Sequence, residues 1–387
     1  MKKVWRFLRE YTLAVLFALI ILTLTVFDLV TPDAEHSEME NRELAQSPAF
    51  SWKSVFDLSY GQNYEKYIND QFILRDEWIT AKSLAEQALG KTENNGILYG
   101  KDGFLFEKLN VMDTERVENN VGYLRKFAEN CPYPLTVMMI PNSYMVYPDK
   151  LPWQAELLDQ GALFEQFYAQ WSDSAACLDM LAPLRAAAQE SDGLYYRTDH
   201  HWTTQGAYQA YRVFVESRGL APVELSSLPS VQVPGFYGTY FSKSKNFAIA
   251  PDVMTYYPIS DVEMTVWGYT EAGEQVHNVY DTLYNTDQFA LRDKYAAFLY
   301  SNNDLTEIVN RNPSPEAAGR RLLVFKDSYG NSMIPFLTQN YESIAVVDIR
   351  YFTQKVSAYL AENTFDDVLV LYNFSTFNTE NIAKISY

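Results

Sequence analysis

Apolar and polar positions divide the chain into one long apolar segment and a larger region of mixed periodicity. Residues 11–30 form a nearly continuous apolar run. As a helix it would be about 30 Å long, which matches the hydrocarbon core of a bilayer. Residues 31–95 begin polar and then show a helical spacing of apolar side chains, which predicts two helices joined near residues 70–75. We therefore predict a transmembrane anchor over 11–30 and a linker with a helical lead-in over 31–95.

The pattern of residues 96–387 predicts an α/β domain. Short continuous apolar runs are typical of strands buried on both faces of a sheet. They alternate with segments of helical spacing, which indicates a mainly parallel sheet with helices on both faces. Residues 225–310 break this rhythm with alternating runs, so we expect an inserted β-rich lobe there and a helix at 292–299 that leads back. The predicted strands of the sheet lie at 135–140, 322–326, 344–348 and 368–371.

The two flanks of the apolar run differ in charge. The preceding residues are rich in lysine and arginine, whereas the following ones are acidic. The positive-inside tendency then predicts that residues 1–10 are a cytoplasmic tail and that the large domain lies outside the cell membrane. A cleaved signal peptide is the alternative. We favour a single-pass anchor because the run is longer than the apolar h-region of a typical signal peptide and no small-residue cleavage site follows.

The net charge of the chain argues against some binding partners. The formal net charge is −18, which argues against nucleic acid and against an anionic membrane surface as binding partners. Solubility alone would also explain such a charge. Cys131 and Cys177 are the only 2 cysteines, and they form neither a CxxC pair nor a metal-binding spacing. They could pair as a disulfide outside the cell or remain two thiols.

The candidate chemistry lies in two places far apart in sequence. Of the 4 histidines, His200 and His201 are adjacent and follow Asp199. Ser328 comes just after a predicted strand and before a predicted helix, where the active groups of open α/β sheets gather. Serine needs a base to become a nucleophile. In an extended backbone Asp199 and His201 share one face, so the carboxylate can orient the imidazole. We therefore predict Ser328, His201 and Asp199 as a catalytic triad.

The Asp-His-His string has other interpretations. A carboxylate beside two histidines suits zinc or iron, but no further cluster of metal-ligating residues accompanies it, so we predict no metal. The string could also be a hydrogen-bonded entry to the helix predicted from Thr203 to Arg218, with Thr203 or Thr204 as its N-cap. Trp202 could be a sugar-stacking platform, although we favour a place in the core.

A resemblance covers nearly everything from residue 40 onward. The string 196–203 resembles the signature of the DHHW family, which is related to periplasmic acetyltransferases of alginate modification with a domain similar to SGNH hydrolases. The resemblance implies an SGNH hydrolase-like fold and the same Asp, His and Ser as a triad, in an order permuted from ordinary SGNH hydrolases. Further blocks agree with the family in the same order, at 40–42, 70–75, 100–106, 141–152 and 326–332.

Two details depart from the pattern of the alginate relatives. They have a small residue between the aspartate and the histidine, whereas His200 occupies that position here and its role is open. An oxyanion-hole donor besides the Ser328 N–H is also not obvious. Asn373 and Asn142 are candidates because each follows a predicted strand. Tyr329 and His200 are further candidates for contact with the oxyanion or the substrate.

The resemblance also implies a function. It points to an extracytoplasmic O-acyltransferase, most simply an acetyltransferase, that modifies a cell-envelope or secreted polysaccharide and needs no cofactor. Acetyl-CoA is absent outside the cell, so a membrane-bound O-acyltransferase would supply the acyl group. An esterase with the same triad is one alternative. The other is a non-catalytic subunit that binds polysaccharide or assists an acylation complex.

Overall fold

The computed structural model describes residues 9–269 and 275–386. The contacts divide the chain into two compact units. The first runs to Lys91 and includes the short stretch Lys245–Ala248, and the second comprises the rest. The predicted cytoplasmic tail, residues 1–10, therefore lies almost wholly outside the described part.

The first unit is mainly helical. The predicted apolar segment forms helix α1, and its side chains are largely exposed, for example Leu13 at 84% and Phe17 at 66%. Among the residues that the structure describes, no helix is both long enough and apolar enough to span a membrane. The predicted helix pair is present, with its joint between Gln71 and Arg75. The elements are α1 (Thr12–Val30), β1 (His36–Ser37), β2 (Arg42–Glu43), α2 (Trp52–Phe56), α3 (Ser59–Gln71) and α4 (Arg75–Ala88).

A buried carboxylate organises the first unit. Glu40 is 8% exposed and makes ion pairs with Arg42, Arg75 and Lys245. Burial by itself would raise the pKa of Glu40, but these three cations outweigh it and lower the pKa. Arg42 also pairs with Asp70 at the end of α3. The blocks 40–42 and 70–75 of the family resemblance are therefore the two sides of one ion-pair network.

Small β elements open the second unit and flank its main sheet. A three-stranded meander contains β3 (Glu93–Asn94), β4 (Ile97–Tyr99) and β5 (Leu105–Glu107), and a separate antiparallel pair contains β8 (Val231–Phe236) and β9 (Asp252–Tyr256). The main sheet is built from β6 (Leu135–Ile140), β7 (Ala176–Leu178), β10 (Val262–Tyr269), β11 (Gln275–Tyr280), β12 (Leu305–Asn310), β13 (Arg321–Lys326), β14 (Ser343–Val347) and β15 (Asp367–Asn373).

The main sheet has eight strands in the order β11-β10-β12-β14-β13-β15-β6-β7. Strands β14, β13, β15, β6 and β7 run parallel to one another. Strands β12, β10 and β11 extend the row beyond β14 in antiparallel fashion. The sheet is therefore parallel on the side that carries the predicted site and antiparallel on the other.

The sheet is buried on both faces. In β13, Leu322 and Val324 belong to one hydrophobic cluster, whereas Leu323 and Phe325 belong to the other. Successive side chains of a strand point to opposite faces, so a strand covered on both sides needs an unbroken apolar sequence. This explains why the continuous runs predicted the central strands correctly.

Helices and loops cover the sheet. The longer helices are α5 (Thr114–Asn130), α7 (Gln160–Trp171), α8 (Leu181–Ala188), α9 (Thr204–Ser217) and α11 (Gly330–Leu337). The shorter ones are α6 (Ser143–Val146), α10 (Thr239–Ser244), α12 (Val356–Glu362) and α13 (Phe374–Thr379). Cys131 and Cys177 are both free thiols.

Two fold predictions need correction. The sheet is mixed, because the region 225–310 supplies β10, β11 and β12 to its antiparallel side, and only β8 and β9 of that region form a separate pair. Alternating apolar residues predict strands but do not tell which sheet they join. The helix predicted at 292–299 is a single 3-10 turn, Lys294–Ala297. It ends at Phe298, whose backbone is extended (φ −67°, ψ 124°), and Leu299, Tyr300 and Ser301 follow with positive φ values of 52°, 54° and 80°.

Candidate active site

The serine lies on a tight turn at the carboxyl end of β13. The turn is held by the buried carboxylate of Asp327, which accepts hydrogen bonds from the backbone N–H groups of Tyr329 at 2.9 Å and Asn373 at 2.8 Å. Helix α11 begins directly afterwards at Gly330. Ser328 itself is partly exposed. The fold therefore presents its hydroxyl at the strand end where the sequence predicted it.

The three predicted triad residues come together in one hydrogen-bonded row. The Nε2 atom of His201 lies 2.7 Å from the Oγ atom of Ser328. On the other side of the ring, Nδ1 lies 2.6 Å from Oδ2 of Asp199. Asp199 and His201 are 2% and 6% exposed. In this row the carboxylate holds a proton on Nδ1, so that Nε2 can accept the serine proton.

The carboxylate of Asp199 is fixed by a neighbouring turn that sequence reasoning missed. Oδ1 accepts hydrogen bonds from the backbone N–H of Thr239 at 2.7 Å and from its hydroxyl at 2.9 Å. The preceding Gly238 packs against the carboxylate so closely that a Cβ atom there would lie 2.1 Å from Cβ of Asp199. No local sequence signal marks Gly238 and Thr239 as partners of a residue some forty positions earlier.

Burial and charge together set the protonation of this row. Burial alone would raise the pKa of Asp199, but His200 and His201 outweigh it and hold the pKa well below its usual range. Burial and the neighbouring His200 lower the pKa of His201 to about 4, against the opposing pull of Asp199. A neutral imidazole beside an ionised carboxylate is the state that a general base requires.

Tyr295 is a second component that the sequence did not reveal. Its ring stacks on the His201 ring with 3.7 Å between centroids and an interplanar angle of 11°. Its hydroxyl donates to the carbonyl of Ser328 or the hydroxyl of Ser332, each 3.1 Å away. Tyr295 therefore touches both the base and the serine turn, and it limits the tilt of the imidazole.

The predicted oxyanion candidates have varied surroundings. The side-chain amide of Asn142 donates to Oγ of Ser375 at 2.9 Å, and that of Asn373 donates to the carbonyl of Ile140 at 3.0 Å. The hydroxyl of Tyr329 donates to the carbonyl of His200. These donors already have partners inside the fold, so an oxyanion role for the three residues stays a prediction. Within the described residues the Ser328 N–H has no protein acceptor.

Trp202 is a core residue, as favoured from the sequence. It is fully buried, and its indole N–H lies 3.0 Å from the carbonyl of Tyr329 and 2.9 Å from Oγ of Ser332. The next residue, Thr203, is the N-cap of α9 and accepts from the backbone N–H groups of Gln205 and Gly206. Trp202 thus ties the loop that carries the base to the turn that carries the serine.

The alternative of a metal site can be tested against this geometry. Asp199, His200 and His201 each offer a ligand atom, all within 4.8 Å of one another. However, both nitrogens of His201 are already hydrogen-bonded, one to Asp199 and the other to Ser328. A metal could bind His201 only by displacing one of these two partners. We assign no metal ligands in this group.

Two family models match the region that contains the site. A model described as "DHHW protein" matches residues 177–347. A second, described as "SGNH hydrolase-like domain, acetyltransferase AlgX", matches residues 97–222. The resemblance to the DHHW family is confirmed. All three residues of the row lie within the DHHW match.

Two known proteins are also similar to this chain. A "Probable alginate O-acetylase AlgJ" from Pseudomonas syringae pv. tomato is 25% identical over 162 residues, which is 40% of this chain and 41% of the relative. The chain thus matches less than half the length of that relative. A DHHW family protein from Eubacterium siraeum is 26% identical with a TM-score of 0.63, over 76% of this chain and 95% of that one.

A more distant solved structure shows the same fold. Bacillus cereus PatB1 is 19% identical with a TM-score of 0.61, and the match covers 74% of this chain and 98% of that chain. At this identity the likeness speaks for the fold alone. The fold is therefore shared by proteins whose sequences have diverged widely.

Proposed function

We propose that the chain is an O-acyltransferase, most simply an O-acetyltransferase, that works through an acyl-Ser328 intermediate on a polysaccharide. The observation that carries the proposal is the row Asp199–His201–Ser328, with contacts of 2.6 Å and 2.7 Å. The similarity to an acetyltransferase domain and to a probable alginate O-acetylase supports acyl transfer as the reaction class. The site's hydroxyl nucleophile, neutral base and carboxylate are the groups that acyl chemistry needs.

The proposed reaction has two half-reactions. In the first, Oγ of Ser328 attacks the carbonyl carbon of the acyl donor while Nε2 of His201 takes the serine proton. The bond to the leaving group breaks, and His201 returns the proton to that group. In the second, a sugar hydroxyl loses its proton to His201 and attacks the acyl-serine. The ester bond to Ser328 breaks, and the proton goes back to the serine.

The Ser328 N–H is the oxyanion donor that we propose. It has no protein acceptor among the described residues and lies just before the N-terminus of α11. An N–H group placed there suits a negative charge that develops during attack on Ser328. Asn142 and Asn373 stay the candidates for a second donor, since the NH₂ group of each amide carries two N–H donors and one of them is hydrogen-bonded inside the fold.

One assay tests the reaction class. The purified chain is incubated with a chromogenic acetyl ester, with and without an oligosaccharide acceptor. We expect acetylated sugar by mass spectrometry and an acetyl group on the peptide that contains Ser328. Ser328→Ala should abolish both, whereas Ser357→Ala, an exposed serine on α12, should change neither. Ester hydrolysis without sugar acetylation would favour the esterase, and an inert wild-type chain would favour an accessory subunit.

The location of the chain is part of the proposal. We propose that the segment 11–30 anchors the protein in the cell membrane and that the second unit acts outside the cytoplasm. The support is the sequence pattern of a basic flank before an apolar run and an acidic flank after it. A membrane-bound O-acyltransferase is the proposed acyl donor. Release of the full chain from the membrane fraction by alkaline carbonate would contradict anchoring by this segment.

A further inference from the structure

His200 is the site residue whose purpose the reaction scheme leaves unexplained. Its Nδ1 atom lies 2.8 Å from the hydroxyl of Thr239 and 3.2 Å from Oδ1 of Asp199. His200 thus lies beside one oxygen of the Asp199 carboxylate, and His201 is hydrogen-bonded to the other oxygen. Its side chain is 32% exposed, against 7% for His201. The two imidazoles are therefore arranged alike on Asp199, but only one of them contacts Ser328.

Hydrogen bonding indicates where the protons lie. The Thr239 hydroxyl is 2.9 Å from Oδ1 of Asp199, and an ionised carboxylate can only accept. The hydroxyl therefore donates to Asp199 and accepts from Nδ1–H of His200. The Nε2 atom of His200 has no partner among the described residues and belongs to the more exposed ring of the pair. If this nitrogen is protonated, its N–H group can donate a hydrogen bond to water.

The closeness of the two rings, which are tilted by 38° to one another, limits their total charge. Their centroids are 3.7 Å apart, and two positive charges at that distance repel each other strongly in a partly buried site. One positive charge beside one carboxylate is favourable, whereas a second is not. The proton goes to the ring that keeps better contact with solvent, and that ring is His200.

We propose that His200 is a positioning residue that carries the single positive charge beside Asp199 and thereby keeps His201 a neutral base. The catalytic consequence rests on the proposed function, but the distribution of charge between the two rings does not. In this arrangement Asp199 has two tasks: it orients His201 through Oδ2, and it holds the charged His200 through Oδ1 and Thr239.

The surroundings of His200 support a positive charge there. Burial by itself would lower the pKa of His200, but Asp199, with smaller contributions from Glu107 and Asp327, raises it. The pKa of His201 is lowered to about 4, with His200 as a cause second only to burial. The titratable groups around His200 are Asp199, His201, Glu107, Asp293, Asp327, Tyr240 and Tyr329.

A ¹⁵N-histidine NMR titration of the full chain tests the distribution of charge without any assay of activity. We expect His201 to stay neutral until the pH falls to about 4. We expect His200 to take up its proton already at a pH above about 6.5, which is the ordinary histidine pKa. In His200→Gln the midpoint of His201 should rise by about one pH unit or more. An unchanged midpoint, or a titration in which His201 is the charged ring near neutral pH, would overturn the proposal.

The pH profile of ester turnover tests the catalytic consequence. His201 must be neutral to accept the serine proton, so activity falls as the pH drops through its pKa. His200→Gln should move this acid limb upward and leave the rate at about pH 8 within about tenfold of wild type. His277→Gln, at an exposed position on β11, is the matched control. An equal loss at every pH would mean that His200 is only structural.

The two tests fail in distinguishable ways. If the wild-type chain turns over no ester, the proposed function fails while the NMR titration still decides the role of His200. Thermal unfolding of His200→Gln shows whether the variant keeps its fold. If it does not, His200→Asn, whose shorter amide can also donate towards Thr239, replaces it in both measurements.

Discussion

At the scale of single residues, one carboxylate organises the site. Asp199 accepts from the Thr239 N–H and hydroxyl on Oδ1 and from His201 on Oδ2. These bonds leave the carboxylate no freedom to rotate away from either imidazole. A side chain of the same shape that carries a donor in its terminal group, such as asparagine, cannot accept from all of these groups. The site is therefore sensitive to a substitution that barely alters the shape of the side chain.

Asp199→Asn tests this sensitivity. An amide can accept through only one of its two terminal atoms, so its NH₂ group faces either the Thr239 donors or His201. We expect ester turnover to fall by about 10⁴-fold, as when a triad aspartate becomes asparagine in serine proteases. Steady-state kinetics measure the loss, and circular dichroism confirms the fold. A loss below about tenfold would show that the carboxylate is dispensable for orienting the base.

Tyr295 allows the ring and the hydroxyl to be separated. Tyr295→Phe keeps the ring that stacks on His201 but removes the donor to Ser328 and Ser332. We expect the free energy of unfolding to fall by about 1 kcal/mol. Turnover should drop only a few-fold, since the base keeps its support. Tyr351→Phe, at a tyrosine that is 51% exposed, is the control in urea unfolding. A loss of turnover as large as that of Ser328→Ala would instead give the hydroxyl a direct role in the reaction.

At the scale of elements, the proposed base and the proposed nucleophile each lie at the start of a helix. Trp202 lies just before the N-cap of α9, and the serine turn leads into α11, with the indole N–H joining the two. Positions that far apart in sequence can be brought together only by packing between elements. The register of the two helices therefore decides whether His201 reaches Ser328.

Trp202→Phe tests this link. The variant keeps most of the buried ring but loses the indole N–H and leaves a cavity. We expect the free energy of unfolding to fall by about 2–4 kcal/mol. Turnover should fall further than stability alone explains, because the loop and the turn lose their direct bond. Trp153→Phe changes a tryptophan that is 86% exposed and should affect neither quantity. Equal stability of the two variants would contradict the role of Trp202 in the core.

The elements differ in how well the sequence predicts them. The runs at 135–140 and 322–326 are apolar at almost every position because both of their faces are buried, whereas a strand with one face in water would alternate. The alternating runs in 225–310 predict strands there, but the place of β10 in the sheet depends on contacts with β12 and β11 that no local pattern encodes. The extended backbone of Phe298, which ends the predicted helix early, and the positive φ angles of Leu299 and Tyr300 likewise leave no trace in residue type.

The residues of the site likewise divide into those that the sequence predicts and those that it does not. Asp199, His201 and Ser328 belong to residue types that carry catalytic chemistry, which narrows the choice of candidate site residues in the sequence. Spacing and a family resemblance then pointed to these three. Thr239 and Tyr295 belong to common types without a distinctive spacing, and only the folded chain shows what they touch. Asn142 and Asn373 stand at strand ends as predicted. Their amides nevertheless serve the fold, because a buried polar group needs a partner.

At the scale of the whole molecule, the sheet has a protected middle and an open edge. Strand β15 is paired on both sides, with β13 and β6. Strand β11 is paired only with β10 among the described strands, and most of its residues are exposed. The carboxyl ends of β13, β15 and β6 together form the floor of the site, which therefore lies in the most stable part of the unit.

Hydrogen–deuterium exchange measures this difference. We expect the amides of β15 to exchange at least about 100-fold more slowly than those of β11, because their opening approaches global unfolding. Under native conditions at neutral pH, peptides from 367–373 should stay protected for hours while those from 275–280 exchange within minutes. Comparable protection in the two strands would mean that β11 is covered by something other than β10.

The position of β15 also has a consequence for biosynthesis. This strand follows every other described strand in the chain, yet it lies between β13, which leads to the serine, and β6. When synthesis has reached residue 366, the chain already contains Asp199, His201 and Ser328. The strand that joins the two halves of the sheet, β15, is still missing. A chain cut short before β15 would therefore carry all three residues of the row without an assembled site.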